Sequence, residues 1–300
     1  YVKEGILAAL DAIEQQTGEK EVNAAGYCLG GTLLATTLAY LAAKRQKRIA
    51  SATFFTTMTD FTEPGELGVF IDEGQVSSLE KKMFERGYLE GSEMAGTFSM
   101  LRSNDLIWSF VVSNYLMGKD PFPFDLLYWN SDSTRMPAAM HSFYLRSMYM
   151  ENRLVEPGGI EIDGTPIDLT KIKVPCYFIS AIEDHIAPWK STYMGARRFT
   201  APVRFVLGGS GHIAGIVNPP AANKYGYWVN PAAKLPDSAE AWFEGAQQNA
   251  GSWWTDWQSW VTGHDAAQVD PRDPAKGKLK ALEDAPGSFV KARVDVKAAA

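Results

Sequence analysis

Apolar residues at the start of the chain recur at helical spacing. Ile6, Leu7, Leu10 and Ile13 share one face, which predicts an amphipathic helix over residues 1–16, ended by Gly18. A short strand follows over residues 21–25. The turn GYCLGG (26–31) then runs directly into an apolar helix, GTLLATTLAYLAA (31–43). IASATFFTTM (49–58) is rich in β-branched and aromatic residues and reads as a buried strand. Helix, strand, tight turn, helix, strand is the alternation of an α/β parallel sheet.

After Asp60 that alternation stops. Residues 61–154 show helices and loops and no convincing strand. Segments such as SNDLIWSFVVSNYLMG (103–118) and AAMHSFYLRSMYMENRL (138–154) are loaded with Trp, Tyr, Phe and Met, and read as a helical cap insertion. Strand patterns return at 175–180 and 203–207, with a helix over 190–199 between them. Further helices are expected over 238–248 and 253–263. The tail from Asp265 is rich in Pro, Lys and Ala without a period, and reads as extended or partly disordered. The expected plan is an α/β core in two parts, 1–60 and 155–264, a cap at 61–154 and a tail at 265–300.

Composition narrows the function. The 300 residues carry 29 Lys+Arg against 35 Asp+Glu, a net charge of −6, so no global attraction to nucleic acid is expected. The longest nearly apolar stretch, residues 31–43, is too short to span a bilayer. Two cysteines, Cys28 and Cys176, make no disulfide framework and favour a reducing cytoplasm. The chain opens without Met and already in a helical pattern, so the C-terminal portion of a longer protein is expected.

The candidate chemistry centres on Gly26-Tyr27-Cys28-Leu29-Gly30, a G-x-nucleophile-x-G box between strand and helix, with Cys where Ser is common. Such a turn strains its central residue, and the flanking glycines avoid clashes. It sets the thiol at a helix N-terminus, whose dipole favours a thiolate, and aims the Leu29 N–H at a developing oxyanion. The alternative is a Gly-rich turn with a buried Cys. Two loops raise the catalytic reading: AIEDHIAPW puts Asp184 after the strand at 175–180, and GGSGHIAGIVNPP puts His212 after the strand at 203–207. Nucleophile, acid and His thus follow in order at the carboxyl ends of strands. Asp60 is a competing acid but reads better as a cap or loop residue. His185 adjoins an acid loop that already has Asp184. His141 reads as structural, His264 as solvated and Cys176 as a small core hydrophobe. Neither zinc-ligand spacing nor a dinucleotide fingerprint is present.

GYCLGGT, EDHIAPW and SGHIAGIVNPP, with LRSNDLIW, PFDLLYWNSDSTRMP and GSWWTDWQSW, resemble the polyhydroxyalkanoate synthases, nearest to the class I type that uses short 3-hydroxyacyl-CoA monomers. The resemblance runs from residue 22 to about residue 293. It implies an α/β-hydrolase-like, mostly parallel sheet with a helical cap and with N-terminal strands missing. It implies that Cys28, Asp184 and His212 are catalytic and that hydroxyacyl groups pass from CoA to Cys28 and on to a growing polyester, releasing CoA. His212 would activate Cys28. Asp184 would orient His212 or help deprotonate the 3-hydroxyl of the next monomer. Arg102 would contact CoA phosphate, or is a surface Arg. Trp129 would wall the acyl pocket, or is a core aromatic. The implied partners are 3-hydroxyacyl-CoA, the polyester chain, a second copy as homodimer and granule proteins; the basic tail reads as a solvated segment or as a contact with such partners or the granule surface. The implied place is the granule surface in the cytoplasm; nucleic acid and a transmembrane segment are not implied, nor is a cofactor beyond the CoA substrate. The family's second oxyanion donor comes from a part not present here, so this segment alone is expected to be poorly active. Two other readings stand beside this one: a Cys-based α/β hydrolase that gives its acyl group to water, and a non-catalytic granule-binding protein.

Overall fold

The computed structural model describes residues 1–101, 103–121, 132, 134–264 and 267–292. The first helix starts as a π-helical turn at Val2–Leu7 and continues as α1 (Ala8–Thr17), closed by Gly18 in the left-handed conformation. Strand β1 (Val22–Tyr27) leads through Cys28 into α2 (Leu29–Ala43), and β2 (Ile49–Phe55) follows. Helices α3 (Glu73–Arg86), α4 (Gly91–Leu101) and α5 (Ala138–Tyr144) come next, α5 continuing as a π-helical turn at Leu145–Met150. The core resumes with β3 (Cys176–Ala181), α6 (Trp189–Ala196) and β4 (Val203–Gly208). Strands β5 (Tyr227–Val229) and β6 (Gln247–Asn249) complete the sheet, and α7 (Trp254–His264) follows.

The sheet runs β1-β2-β3-β4-β5-β6. The first four strands are parallel; β5 and β6 each pair antiparallel. Every residue of β3 is buried, as its unbroken apolar run requires of a central parallel strand. On one face α2 lays Leu34, Leu38 and Leu41 into the core. There Phe54 stacks on Phe178 at 4.3 Å, and both meet the edge of Phe199. The other face is closed by Trp253, Trp254, Trp257 and Trp260 against Tyr27, Phe55 and Tyr177. The indole N–H groups there find acceptors, Trp253 on the carbonyls of Gly215 and Ile216 and Trp257 on Thr53 Oγ1. That satisfaction is what lets such large amphipathic rings be buried.

Three expectations change. Residues 238–248 are not one helix: a helix at Ala239–Glu244 gives way to β6, because β5 offers an open edge that Gln247–Asn249 can pair with. The 61–154 region holds a two-residue strand pair, Tyr88–Leu89 with Met136–Pro137, too short to leave a periodic signal. The tail is tied back to α1: Arg272 reaches the Thr17 carbonyl and Glu19, and Leu279 N–H reaches Gln16.

Candidate active site

The site is built from three loops at the carboxyl ends of β1, β3 and β4. Cys28 sits between β1 and α2 at φ 52°, ψ −121°, a strained conformation for a side-chain-bearing residue. Its N–H is held by the Phe55 carbonyl at 2.8 Å, and its carbonyl caps the Gly31 N–H at 2.9 Å. The turn is possible because helix and strand meet almost in contact. A Cβ on Gly26 would lie 2.6 Å from Gly31 Cα, and one on Gly31 would lie 1.9 Å from Thr57 Oγ1. Gly30 is different: a Cβ there meets nothing within 4 Å, since it faces a cavity. The steric need therefore rests on Gly26 and Gly31, not on Gly30 as the pentapeptide pattern implies.

The acid and His loops are stitched together, Ile182 N–H to the Gly208 carbonyl and Glu183 N–H to the Ser210 carbonyl. This brings Asp184 Oδ2 to 2.7 Å from His212 Nδ1. Asp184 Oδ1 accepts the N–H groups of Ile186 and Ala187, both at 2.9 Å. The Asp184 side chain is fully buried and that of His212 nearly so. Burial disfavours its charged form, but the Asp184 hydrogen bond and the nearby charges of Asp184 and Cys28 outweigh burial and lift its pKa to about 9. Leu29 begins α2 directly after Cys28, so its N–H has no acceptor within the helix. The hydrogen-bonded Asp184–His212 pair and Cys28 thus come from loops at the same end of the sheet. An imidazole held by a carboxylate can take a proton from a thiol, hold it and return it to a leaving group.

The remaining candidates fall elsewhere. Asp60 is buried and fully engaged: Oδ1 accepts from Thr62 N–H and Oγ1 and from Asn152 Nδ2, and Oδ2 accepts from Arg198. Burial alone would raise its pKa, but these bonds hold it below the usual range. It ties Asn152, after the α5 segment, to the core. Cys176 is buried in β3 with its thiol pushed up by burial. His141 is buried in α5 and His264 lies against Trp260. Arg102 and Trp129 lie outside the described residues.

Two features of the site left no sequence signal of their own. Tyr27 donates its hydroxyl to the His212 carbonyl at 2.6 Å and stacks on the imidazole. A cavity of about 750 Å³ opens beside Leu29 and Gly30, lined also by Thr32, Tyr144, Met148 and Ile160.

A model of the alpha/beta hydrolase fold matches residues 1–219. The chain is 56% identical to poly(3-hydroxyalkanoate) polymerase subunit PhaC of Rhizobium meliloti (strain 1021), over 98% of this chain and 47% of that protein. It is 51% identical to poly(3-hydroxyalkanoate) polymerase of Methylorubrum extorquens, over 97% of this chain and 48% of that protein. To the PhaC subunit of Cupriavidus necator it is 43% identical, over 98% of this chain and 50% of that one. The chain spans about half the length of the curated relatives it matches.

Proposed function

The chain belongs to the alpha/beta hydrolase fold family and its relatives are poly(3-hydroxyalkanoate) polymerases, and from that premise we propose that it transfers 3-hydroxyacyl groups from CoA to a growing polyester through a thioester on Cys28. The observation that carries this reading is the hydrogen-bonded His212–Asp184 pair at the same end of the sheet as Cys28 on its strained turn. His212 takes the thiol proton. Cys28 Sγ attacks the thioester carbon, and the oxygen gains the electron pair beside the Leu29 N–H. The pair returns as the C–S bond to CoA breaks, and CoA leaves with the proton from His212. A thioester replaces a thioester, so the step is close to neutral in free energy. The 3-hydroxyl of a second monomer, itself a CoA thioester, then gives its proton to His212 and attacks the acyl carbon; the C–S bond to Cys28 breaks, His212 returns the proton to the Cys28 thiol, and the lengthened acyl-CoA is the next thioester that Cys28 attacks.

The geometry supports the first of Asp184's two candidate roles. Both carboxylate oxygens are already occupied, one by two backbone N–H groups and the other by His212. A carboxylate so held, and with its side chain fully buried, supports a role in orienting the imidazole and stabilising its charge. No cofactor beyond the CoA substrate enters this scheme, and short 3-hydroxyacyl chains are the proposed monomers.

We place the enzyme at the polyester surface in the cytoplasm, as a homodimer. Among the described residues, no helix is long and apolar enough to cross a membrane. Trp108, Phe110, Tyr115 and Leu116 stand exposed in the segment after α4, which supports an apolar contact there. The test is Cys28→Ala in the full-length protein. CoA release from 3-hydroxybutyryl-CoA should vanish while the fold persists, and undiminished release would end the proposal.

A further inference from the structure

The cavity beside the nucleophile turn extends along α2 to the surface. One end is Leu29 and Gly30, the two residues that follow Cys28. Leu33 and Thr36 line it one and two turns further along the helix. From Leu29 to Thr36 is about 10 Å along the helix axis. The other walls are Tyr144 and Met148 of the α5 segment, with Ile160 and Ile162 at the hairpin that pairs Glu161–Ile162 with Thr165–Pro166. A further part of the lining is Lys3, bonded to Asp163 at 2.7 Å, and both of these side chains are more than half exposed. The cavity therefore joins the nucleophile turn to an ion pair in solvent.

Resting on the acyl-transfer reading above, we infer that the growing polyester lies in this passage, its thioester end on Cys28 and its hydroxyl end led along α2 toward Lys3 and Asp163, with CoA held outside it. Thr32 and Thr36 turn their hydroxyl protons onto the Met58 and Thr32 carbonyls, so these positions present little beyond carbon to an occupant. Among the described residues that line the cavity, the one cationic side chain, Lys3, is already paired, which leaves nothing there to hold the phosphates of CoA. An aliphatic polyester carries no charge and, along its length, no N–H or O–H donor. It can leave water for apolar walls without orphaning a donor. The volume of about 750 Å³ lies within the range of about 300–1,000 Å³ of sites that enclose a whole organic ligand. A 3-hydroxybutyryl unit adds four chain atoms against the three of a peptide residue, so it extends the chain by about 5 Å. The stretch of about 10 Å along α2 thus holds about two units before the chain nears solvent.

The test compares Leu33→Trp, Asp163→Trp and Cys28→Ala with the parent in the full-length protein, using 3-hydroxybutyryl-CoA. Two quantities are read: the CoA freed in the first turnover, and the length of the chains made, from the mass of the product. Leu33→Trp fills the passage partway along α2. Asp163→Trp sets a ring at its exposed end, where loss of the surface ion pair costs the fold little. Both should keep the first release within about threefold of the parent, since Cys28 and His212 are untouched. Chain length should fall about tenfold or more in Leu33→Trp, since a tight apolar site rejects even one added methylene by about tenfold, and should fall in Asp163→Trp as well. Parent-length chains from both variants overturn the inference, and so does an equal loss of first release and of chain length. If Leu33→Trp does not fold, parent-length chains from Asp163→Trp suffice to overturn it. If Cys28→Ala loses the first release while both Trp variants make parent-length chains, this inference fails and the proposed function stands. If Cys28→Ala still releases CoA at the parent's rate, the proposed function itself fails.

Discussion

Tyr27 holds His212 in two ways, through a 2.6 Å hydrogen bond to its carbonyl and through ring stacking at 5.5 Å with planes 25° apart. The residue just before Cys28, the proposed nucleophile, thus holds the backbone of His212, its proposed base. Tyr27→Phe keeps the stacking and removes the bond. It should cost about 1 kcal/mol of stability. Because catalytic geometry tolerates little slack, kcat should fall about tenfold with little change in KM. Steady-state CoA release and a urea titration check both halves.

The glycines of the turn should separate fold from site. Gly31→Ala drives a methyl into Thr57, and Gly26→Ala drives one into the α2 backbone. Each should destabilise the protein by about 3 kcal/mol or more. Gly30→Ala has room and should fold normally, but its methyl enters the cavity beside Leu29. Thermal melts should show two damaged variants and one intact, with substrate preference altered only in the intact one.

The two buried acids should also part company. Asp60→Asn disturbs the bonds to Thr62, Asn152 and Arg198 and should cost about 2 kcal/mol of stability, with kcat held within about threefold. Asp184→Asn should leave the fold near intact and lower kcat by about 10³ or more, because the imidazole loses its orienter. Equal kcat losses in the two would contradict the assignment.

Much of this was legible in the sequence, for a physical reason. Parallel strands such as Cys176–Ala181 are buried on both faces and leave dense apolar runs. Turn chemistry at Gly26–Gly31 leaves its glycines in plain view. Cys28, Asp184 and His212 could be singled out because loops at strand ends bring distant residues together in a fixed order. The short strand Gln247–Asn249 was invisible, since its three polar, exposed residues are strands only through their partner. Tyr144 was hidden among aromatics that read as packing, and only the fold sets it on the cavity beside Leu29 and Gly30. The idle look of Gly30 in space was hidden by its place in a familiar pattern.

His212 makes stability depend on pH. Its pKa is raised from 6.5 in the unfolded chain to about 9 in the folded protein. The folded state thus binds this proton more tightly, so the contribution is full below 6.5 and is lost as pH rises through about 9. His212→Gln lacks it. The Tm advantage of the parent over this variant should shrink as pH rises from about 6 to about 9.5, and a constant difference would contradict the assigned proton.

The most direct test of Cys28 as the acyl carrier is intact mass of the full-length protein after incubation with 3-hydroxybutyryl-CoA, with freed CoA followed by thiol titration. The account predicts adducts on Cys28 that lengthen in monomer-sized steps as CoA appears, and none in Cys28→Ala. CoA release with free hydroxy acid and no lasting adduct, or adducts that survive in Cys28→Ala, would contradict it.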